Sequence, residues 1–135
     1  MAFYILAENQ LKIMKDLHKK LALLIFECFN NRDFDPVQNK FSENVIMNFP
    51  GVGDIAGLKR VIIFMKSLLR KYPKLEFSIS EVIMEENRAV VVWKNQGERV
   101  DGQAYSNNGI TLFHFTEEKI VLISDYFKDT SFTQN

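Results

Sequence analysis

The chain predicts an α+β domain in which helices come first and mostly consecutive hairpins follow, so that the helices gather on one face of a curved antiparallel sheet. Three observations carry that reading. From about Glu8 to Asn30, Leu11, Met14, Leu21, Ile25 and Cys28 recur at the three-, four- and seven-residue steps of a helix face. After Tyr72-Pro73 the sequence turns to alternating or β-branched segments separated by polar turns. The chain has 135 residues, 47% apolar and 25% charged, which suits a single domain over residues 1–135 with a substantial core.

Asn30-Asn31-Arg32-Asp33 ends the first helix. Asp35-Pro36 reads as an N-cap with proline in the first turn, opening a short second helix that ends near Phe41. Glu43 to Phe49 forms the first strand, closed by Pro50-Gly51 and Gly53. A third helix runs from about Ile55 or Gly57 to Lys71, with Leu58, Val61, Ile62, Met65 and Leu69 on one side. Lys71-Tyr72-Pro73 stops it, since the residue before proline disfavours helix. Strands follow at Leu75 to Met84, Ala89 to Asn95, roughly Gly102 to Phe115, and Ile120 to Phe127. Glu85-Glu86-Asn87-Arg88 and Thr116-Glu117-Glu118-Lys119 are turns between them.

Composition excludes several classes of function. Seventeen basic residues balance 17 acidic ones, so no net field gathers nucleic acid or an anionic membrane. Cys28 stands alone and forms no intrachain disulfide or cysteine metal site; His18 and His114 lack metal-ligand spacing. Ala2-Phe-Tyr-Ile-Leu-Ala7 is apolar but too short for a signal peptide, and no run has the length of a bilayer span. The expectation is a soluble, cytoplasmic protein with no metal and no organic cofactor.

The last hairpin holds the most informative residue. Side chains alternate along a strand, so Val121, Ile123, Asp125 and Phe127 share one face. A carboxylate among apolar neighbours must be paired, hydrogen-bonded or protonated, because burying a bare charge is unfavourable. Asp125 is therefore either an acid that holds the fold or one that does chemistry. On the preceding strand Tyr105 and Asn107 share a face with Thr111, Phe113 and Phe115, while Ile110, Leu112 and His114 point the other way. Together with Leu122 these outward residues make an apolar sheet face that calls for a cover, which favours a homodimer through the sheet. In the first strand, Ile46 and Asn48 oppose Val45, Met47 and Phe49.

Asn31-Arg-Asp-Phe-Asp35, Phe41-Ser-Glu-Asn-Val-Ile-Met-Asn-Phe-Pro-Gly51, Gly57, Glu118-Lys-Ile-Val121 and Asp125-Tyr-Phe127 occur in the order of a known family. The chain resembles, over essentially its whole length, the SnoaL-like and ketosteroid-isomerase-like branch of the nuclear transport factor 2 superfamily. That resemblance implies a cone: a curved antiparallel sheet wrapped around a long N-terminal helix, with two further helices on the concave side and a deep apolar pocket. It implies homodimers through the sheet, and activities that include isomerases, polyketide cyclases, dehydratases, epoxide hydrolases and proteins without chemistry. Fold alone leaves the reaction open.

Candidate residues follow from both lines. Asp125 matches the last-strand acid that serves several catalytic branches as general base or water-holder, and an apolar surround raises a carboxyl pKa toward that use. Asn48-Phe-Pro50 is similar to the Asn-x-Pro of the limonene-epoxide-hydrolase-like branch, whose asparagine helps hold the attacking water. That branch has a tyrosine where this chain has Ile46, and an Arg-x-Asp where it has Trp93-Lys-Asn95; Arg99-Val-Asp101 falls several residues too late. Tyr105 and Asn107 could polarise a carbonyl. Trp93, Phe49, Phe113 and Ile123 are expected to line the pocket. His18 reads as packed at the core edge, His114 as lying on the outer sheet face.

The bland alternatives are an Asp125 near the pocket mouth that bonds a helix end or a neighbouring hydroxyl, an Asn48 that serves the Pro50-Gly51 turn, and a Tyr105 packed at the cone rim with Asn107 satisfying backbone near Gly109. The expected function is binding of a small hydrophobic carbonyl compound. If the chain is an enzyme, it is a cofactor-independent isomerase, cyclase or dehydratase with Asp125 as base and Asn48, Tyr105 or Asn107 on the oxyanion. The alternatives are a water-activating hydrolase and a non-catalytic binding or dimerisation module.

Overall fold

Residues 2–130 are described by a computed structural model. Helix α1 (Ala2–Asn31) is followed by a 3₁₀ helix (Asp35–Lys40), strands β1 (Phe41–Phe49) and β2 (Gly53–Ala56), and helix α2 (Leu58–Lys71). Strands β3 (Glu76–Glu85), β4 (Arg88–Glu98), β5 (Ala104–Thr116) and β6 (Lys119–Phe127) complete it. The six strands form one sheet in the order β2-β1-β6-β5-β4-β3. Its concave face holds α1 and α2, giving the expected α+β cone.

The helical stripe behaves as its spacing demands. Leu21, Ile25, Cys28 and Phe29 are buried against the sheet, where they meet Val91 and Phe113, and α2 adds Val61 and Met65 to the same core. His18 continues the stripe: it is buried, stacks on Phe115 at 4.3 Å and donates from Nε2 to the Glu117 carbonyl at 2.7 Å. The helix starts at Ala2 rather than near Glu8. Its first turns stand clear of the sheet, leaving Phe3, Tyr4 and Leu11 exposed. At the other end Arg32 turns out of the helix at φ 56, and its guanidinium donates to the carbonyls of Asn30, Pro73 and Leu75. Asn30 brackets the Phe77 backbone with both ends of its amide, at 3.0 and 2.8 Å, which ties edge strand β3 to α1.

Four local features depart from expectation. The short second helix is 3₁₀, and Asp35 is its first residue, with its N–H held by the Asp33 carboxylate at 3.0 Å. β2 was not anticipated: Pro50-Gly51, with Gly51 at φ 83 and Val52 N–H donating to Phe49 O at 3.0 Å, makes a type II turn that returns the chain as a strand before α2. The sheet is not wholly antiparallel, because β1 lies parallel to β6. Hairpin logic pairs neighbours in sequence and cannot foresee that contact between the first and last strands. Finally, the β5–β6 register shifts between His114 and Phe115, so Ile120 and not Val121 enters the core, fully buried. Alternation resumes beyond that bulge, and Ile123, Asp125 and Phe127 do share the inner face.

Gly109 lets the sheet coil tightly at this point. A β-carbon there would lie 2.2 Å from the Tyr126 carbonyl oxygen and 2.8 Å from the Phe127 side chain, so only glycine allows β5 and β6 to approach so closely. The outer face carries exposed Ile46, Ile83 and Tyr126 around half-buried Val90, Val92, Ile110, Leu112 and Leu122. Among the described residues no helix is long and apolar enough to cross a membrane.

Candidate functional site

The inner faces of β4, β5 and β6 alternate so that Trp93, Asn95, Tyr105, Thr111, Asp125 and Phe127 all look toward α1 and α2. They line a cavity of about 50 Å³, closed on the helix side by Ile25, Phe29, Met65 and Leu68. Aromatic rings form much of the wall: Trp93 meets Phe77 edge-on at 5.2 Å, and Phe49 lies 5.4 Å from Phe127. A volume of that size holds a few waters or a handful of heavy atoms, well short of the roughly 300–1,000 Å³ of drug-sized sites.

Asp125 sits on this wall, directly opposite Thr111 across the β5–β6 ladder. Thr111 Oγ1 donates to Asp125 Oδ1 at 2.6 Å and accepts from Trp93 Nε1 at 2.9 Å. A hydroxyl has one proton, so spending it on Asp125 orders the chain of donors from indole to hydroxyl to carboxylate. Oδ1 is thereby committed as an acceptor, and proton exchange falls to Oδ2. Burial among apolar side chains pushes the carboxyl from 3.8 up to about 6, and the Thr111 hydrogen bond pulls partly the other way. A group poised there changes charge near neutrality, as a general base must.

Toward the other end lie Tyr105, Tyr72 and Asn95. The two phenol rings pack at 4.7 Å, and burial drives the Tyr105 hydroxyl up to about 12, against hydrogen bonds from Asn107 and Asn95. Tyr105 is thus a neutral phenol at any ordinary pH. Asn95 is 8% exposed, and its Oδ1 has no hydrogen-bond partner among the described residues. Leaving a buried polar atom unpaired costs about 1–3 kcal/mol.

The structure brings Asp125 and Tyr105 to one cavity and leaves Asn48 and Asn107 out of it. Asn48 is on the convex face, where its amide donates to Asp54 Oδ1 at 2.7 Å across the β1–β2 pair. Period-two alternation puts it there, because Met47 and Phe49 take the inner positions. Asn107 is buried at the rim, but its amide is consumed by backbone. Oδ1 accepts from Asn108 N and Asp129 N at 2.9 and 3.1 Å, and Nδ2 donates to Asp129 O at 2.8 Å and Tyr105 Oη at 3.1 Å. Trp93, Phe49 and Ile123 line the cavity as expected. Phe113 does not: it lies one pleat deeper, fully buried and edge-on to Phe26 at 6.3 Å. Thr111, Asn95 and Tyr72 are cavity residues that no sequence motif singles out, although Asn95 stands where a related branch has an acid.

Cys28 is buried, and desolvation holds its thiol at about 11, too high for a thiolate nucleophile. Among the described residues no group of His, Cys, Asp and Glu is placed to hold a metal ion.

The sequence profile of the SnoaL-like domain matches residues 24–123, most of the chain and all of the cavity-bearing sheet up to Ile123. The chain belongs to the SnoaL-like family. No curated protein matches it. Solved structures similar to this SnoaL-like protein include an NTF2-like protein of unknown function from Cytophaga hutchinsonii, at TM-score 0.71 and 23% identity over 85% of this chain and 99% of that one. An NTF2-like protein from Anabaena variabilis aligns at TM-score 0.77 and 17% identity, covering 86% and 90%. TerC, co-crystallised with polyporic acid, aligns at TM-score 0.76 and 15% identity, covering 86% and 95%. At these identities the likeness establishes the cone and leaves the chemistry to this chain's own residues.

Proposed function

We propose that this SnoaL-like protein binds a small, largely apolar carbonyl compound in the cone and uses Asp125 as a general base on a proton acidified by that carbonyl. Tyr105 is the neutral group on the cavity wall able to hydrogen-bond the resulting oxyanion. The observation that carries the reading is the state of Asp125: a carboxyl in an apolar cavity, held through Oδ1 by Thr111, with Oδ2 left for proton transfer. The family's fold and the co-crystallisation of TerC with an organic ligand are consistent with it. Met47 and Met65 line the cavity, and their flexible thioethers form a wall that can yield to a guest larger than the resting volume. The apolar convex face supports a homodimer through the sheet, which sedimentation would refute by finding only monomer.

A general base of this kind exchanges the α-protons of ketones with solvent. Deuterium incorporation from D₂O into a panel of acyclic and cyclic ketones should be accelerated by the protein, rise with pH to a plateau with a midpoint near 6, and vanish in Asp125→Asn. A panel without any acceleration would end the acid–base reading.

A second reading is a binding module without chemistry, and the small resting cavity favours it. The hydrolase alternative loses ground, since Asn48 faces away from Asp125 and cannot share a water with it.

A further inference from the structure

Asn95, like Tyr72, is a polar group of the cavity that the acid–base chemistry does not use. The side chain comes from the inner face of β4, between apolar Trp93 on one side and the Tyr105 end of the cavity on the other, and it is 8% exposed. Its amide is hydrogen-bonded to the Tyr105 phenol. Tyr105 Oη also accepts from Asn107 Nδ2 at 3.1 Å, and the orientation of Asn107 is set by two backbone N–H groups on its Oδ1. Asn95 Oδ1 is left in the wall without a donor.

Folding gives no reason for that atom. Buried polar groups in native proteins are nearly always paired, and an apolar side chain at this position would match Val91 and Ala89, which occupy the same face of β4 fully buried. An acceptor without a protein donor, set in the wall of a cavity, fits a donor that arrives with a guest. Resting on the cavity being the ligand site, we infer that Asn95 Oδ1 accepts a hydrogen bond from the bound compound. The compound is then a small carbonyl molecule that also carries a hydroxyl or N–H, a hydroxy-ketone in the simplest case, and not a plain hydrocarbon ketone. Asn95 selects the ligand, while Asp125 acts on it.

Hydroxyacetone and butan-2-one test this, because they have the same number of heavy atoms and differ by a hydroxyl in place of a methyl. Trp93 is the single tryptophan and lines the cavity, so its emission reports occupancy directly. The apolar methyl favours butan-2-one wherever no donor is needed. Wild type should nevertheless bind hydroxyacetone about tenfold more tightly, and Asn95→Leu should reverse the order. Equal binding, or tighter binding of butan-2-one by the wild type, would overturn the role of Asn95 while leaving the cavity a ligand site. No Trp93 response to either compound would overturn both this inference and the reading beneath it. If Asn95→Leu does not fold, Asn95→Ala makes the same comparison, because Asp125 Oδ2 is a second acceptor in the cavity and the wild-type ratio must be lost with Asn95 to be its own.

Discussion

Replacing Asp125 with asparagine should make the protein more stable at pH 8, an unusual sign for a change in a half-buried, hydrogen-bonded residue. The carboxyl titrates at about 6 in the folded protein against an ordinary value of 3.8, with desolvation the main cause. At 1.36 kcal/mol for each pH unit, that difference amounts to about 3 kcal/mol by which the folded state is disfavoured once the group is ionised. The sign follows from proton binding. Folded protein holds the proton to higher pH than the unfolded chain does, so the penalty is complete above pH 6 and fades as pH falls toward 4. Asparagine removes the charge and can still accept from Thr111 through its own Oδ1. Urea denaturation of wild type and Asp125→Asn at pH 8 should therefore show a gain of about 1–3 kcal/mol for the variant, the lower end allowing for imperfect amide geometry. At pH 4.5 the gain should shrink to a small remainder. A variant less stable than wild type at pH 8, or a difference that does not change with pH, would refute the argument and make Asp125 a structural anchor.

Thr111→Val keeps the shape of the side chain but removes the donor that holds the Asp125 carboxyl down, so the carboxyl midpoint should move further up, as read by ¹³C NMR of the aspartate side chain. An unmoved midpoint would mean that Thr111 does not bond the ionised form. Gly109→Ala sets a β-carbon against the Tyr126 carbonyl and should destabilise by at least about 3 kcal/mol in urea, more than a surface substitution can. Asn107→Ala abolishes the bracket on the Asp129 backbone and should cost about 2 kcal/mol in the same assay. Asn48→Ala, on the convex face, should stay within about 0.5 kcal/mol of wild type and leave the response of Trp93 to ligands unchanged.

How far the sequence speaks for itself depends on the range of the contact involved. Local periodicity located the face of α1, the inner set Val45, Met47 and Phe49 on β1, and the inward direction of Asp125. It also placed Asn48 opposite that set, so its distance from the cavity was implicit in the alternation even while a short motif argued for a catalytic role. The partner of Asp125 was harder to find. Extending the pairing of Thr116 with Lys119 without interruption sets Asp125 across from Ile110, which points outward. The bulge at Val121 moves the register by one residue and brings Thr111 opposite instead. Nothing in Ile120-Val121-Leu122 marks one apolar residue as the one to be skipped. Asn95 was within reach, since it alternates with Trp93 on β4, but an amide in a strand reads as a surface residue until the neighbouring rings are known. The parallel contact of β1 with β6 joins residues far apart in sequence, and only the assembled sheet reveals it.

That parallel contact bears on when the protein becomes competent during synthesis. β1 is made early, yet its inner neighbour is the last strand in chain order, and β2 alone can guard one of its edges while it waits. Until β6 arrives, Met47 and Phe49 have no sheet to complete, and the acid of the site has not yet been made. A growing chain thus carries the β1–β2 hairpin apart from the β3-β4-β5 meander until β6 joins them, a long-range topology of the kind that folds slowly and invites association. β6 then supplies the strand that joins β1 to the rest of the sheet, together with Ile123, Asp125 and Phe127 of the cavity wall.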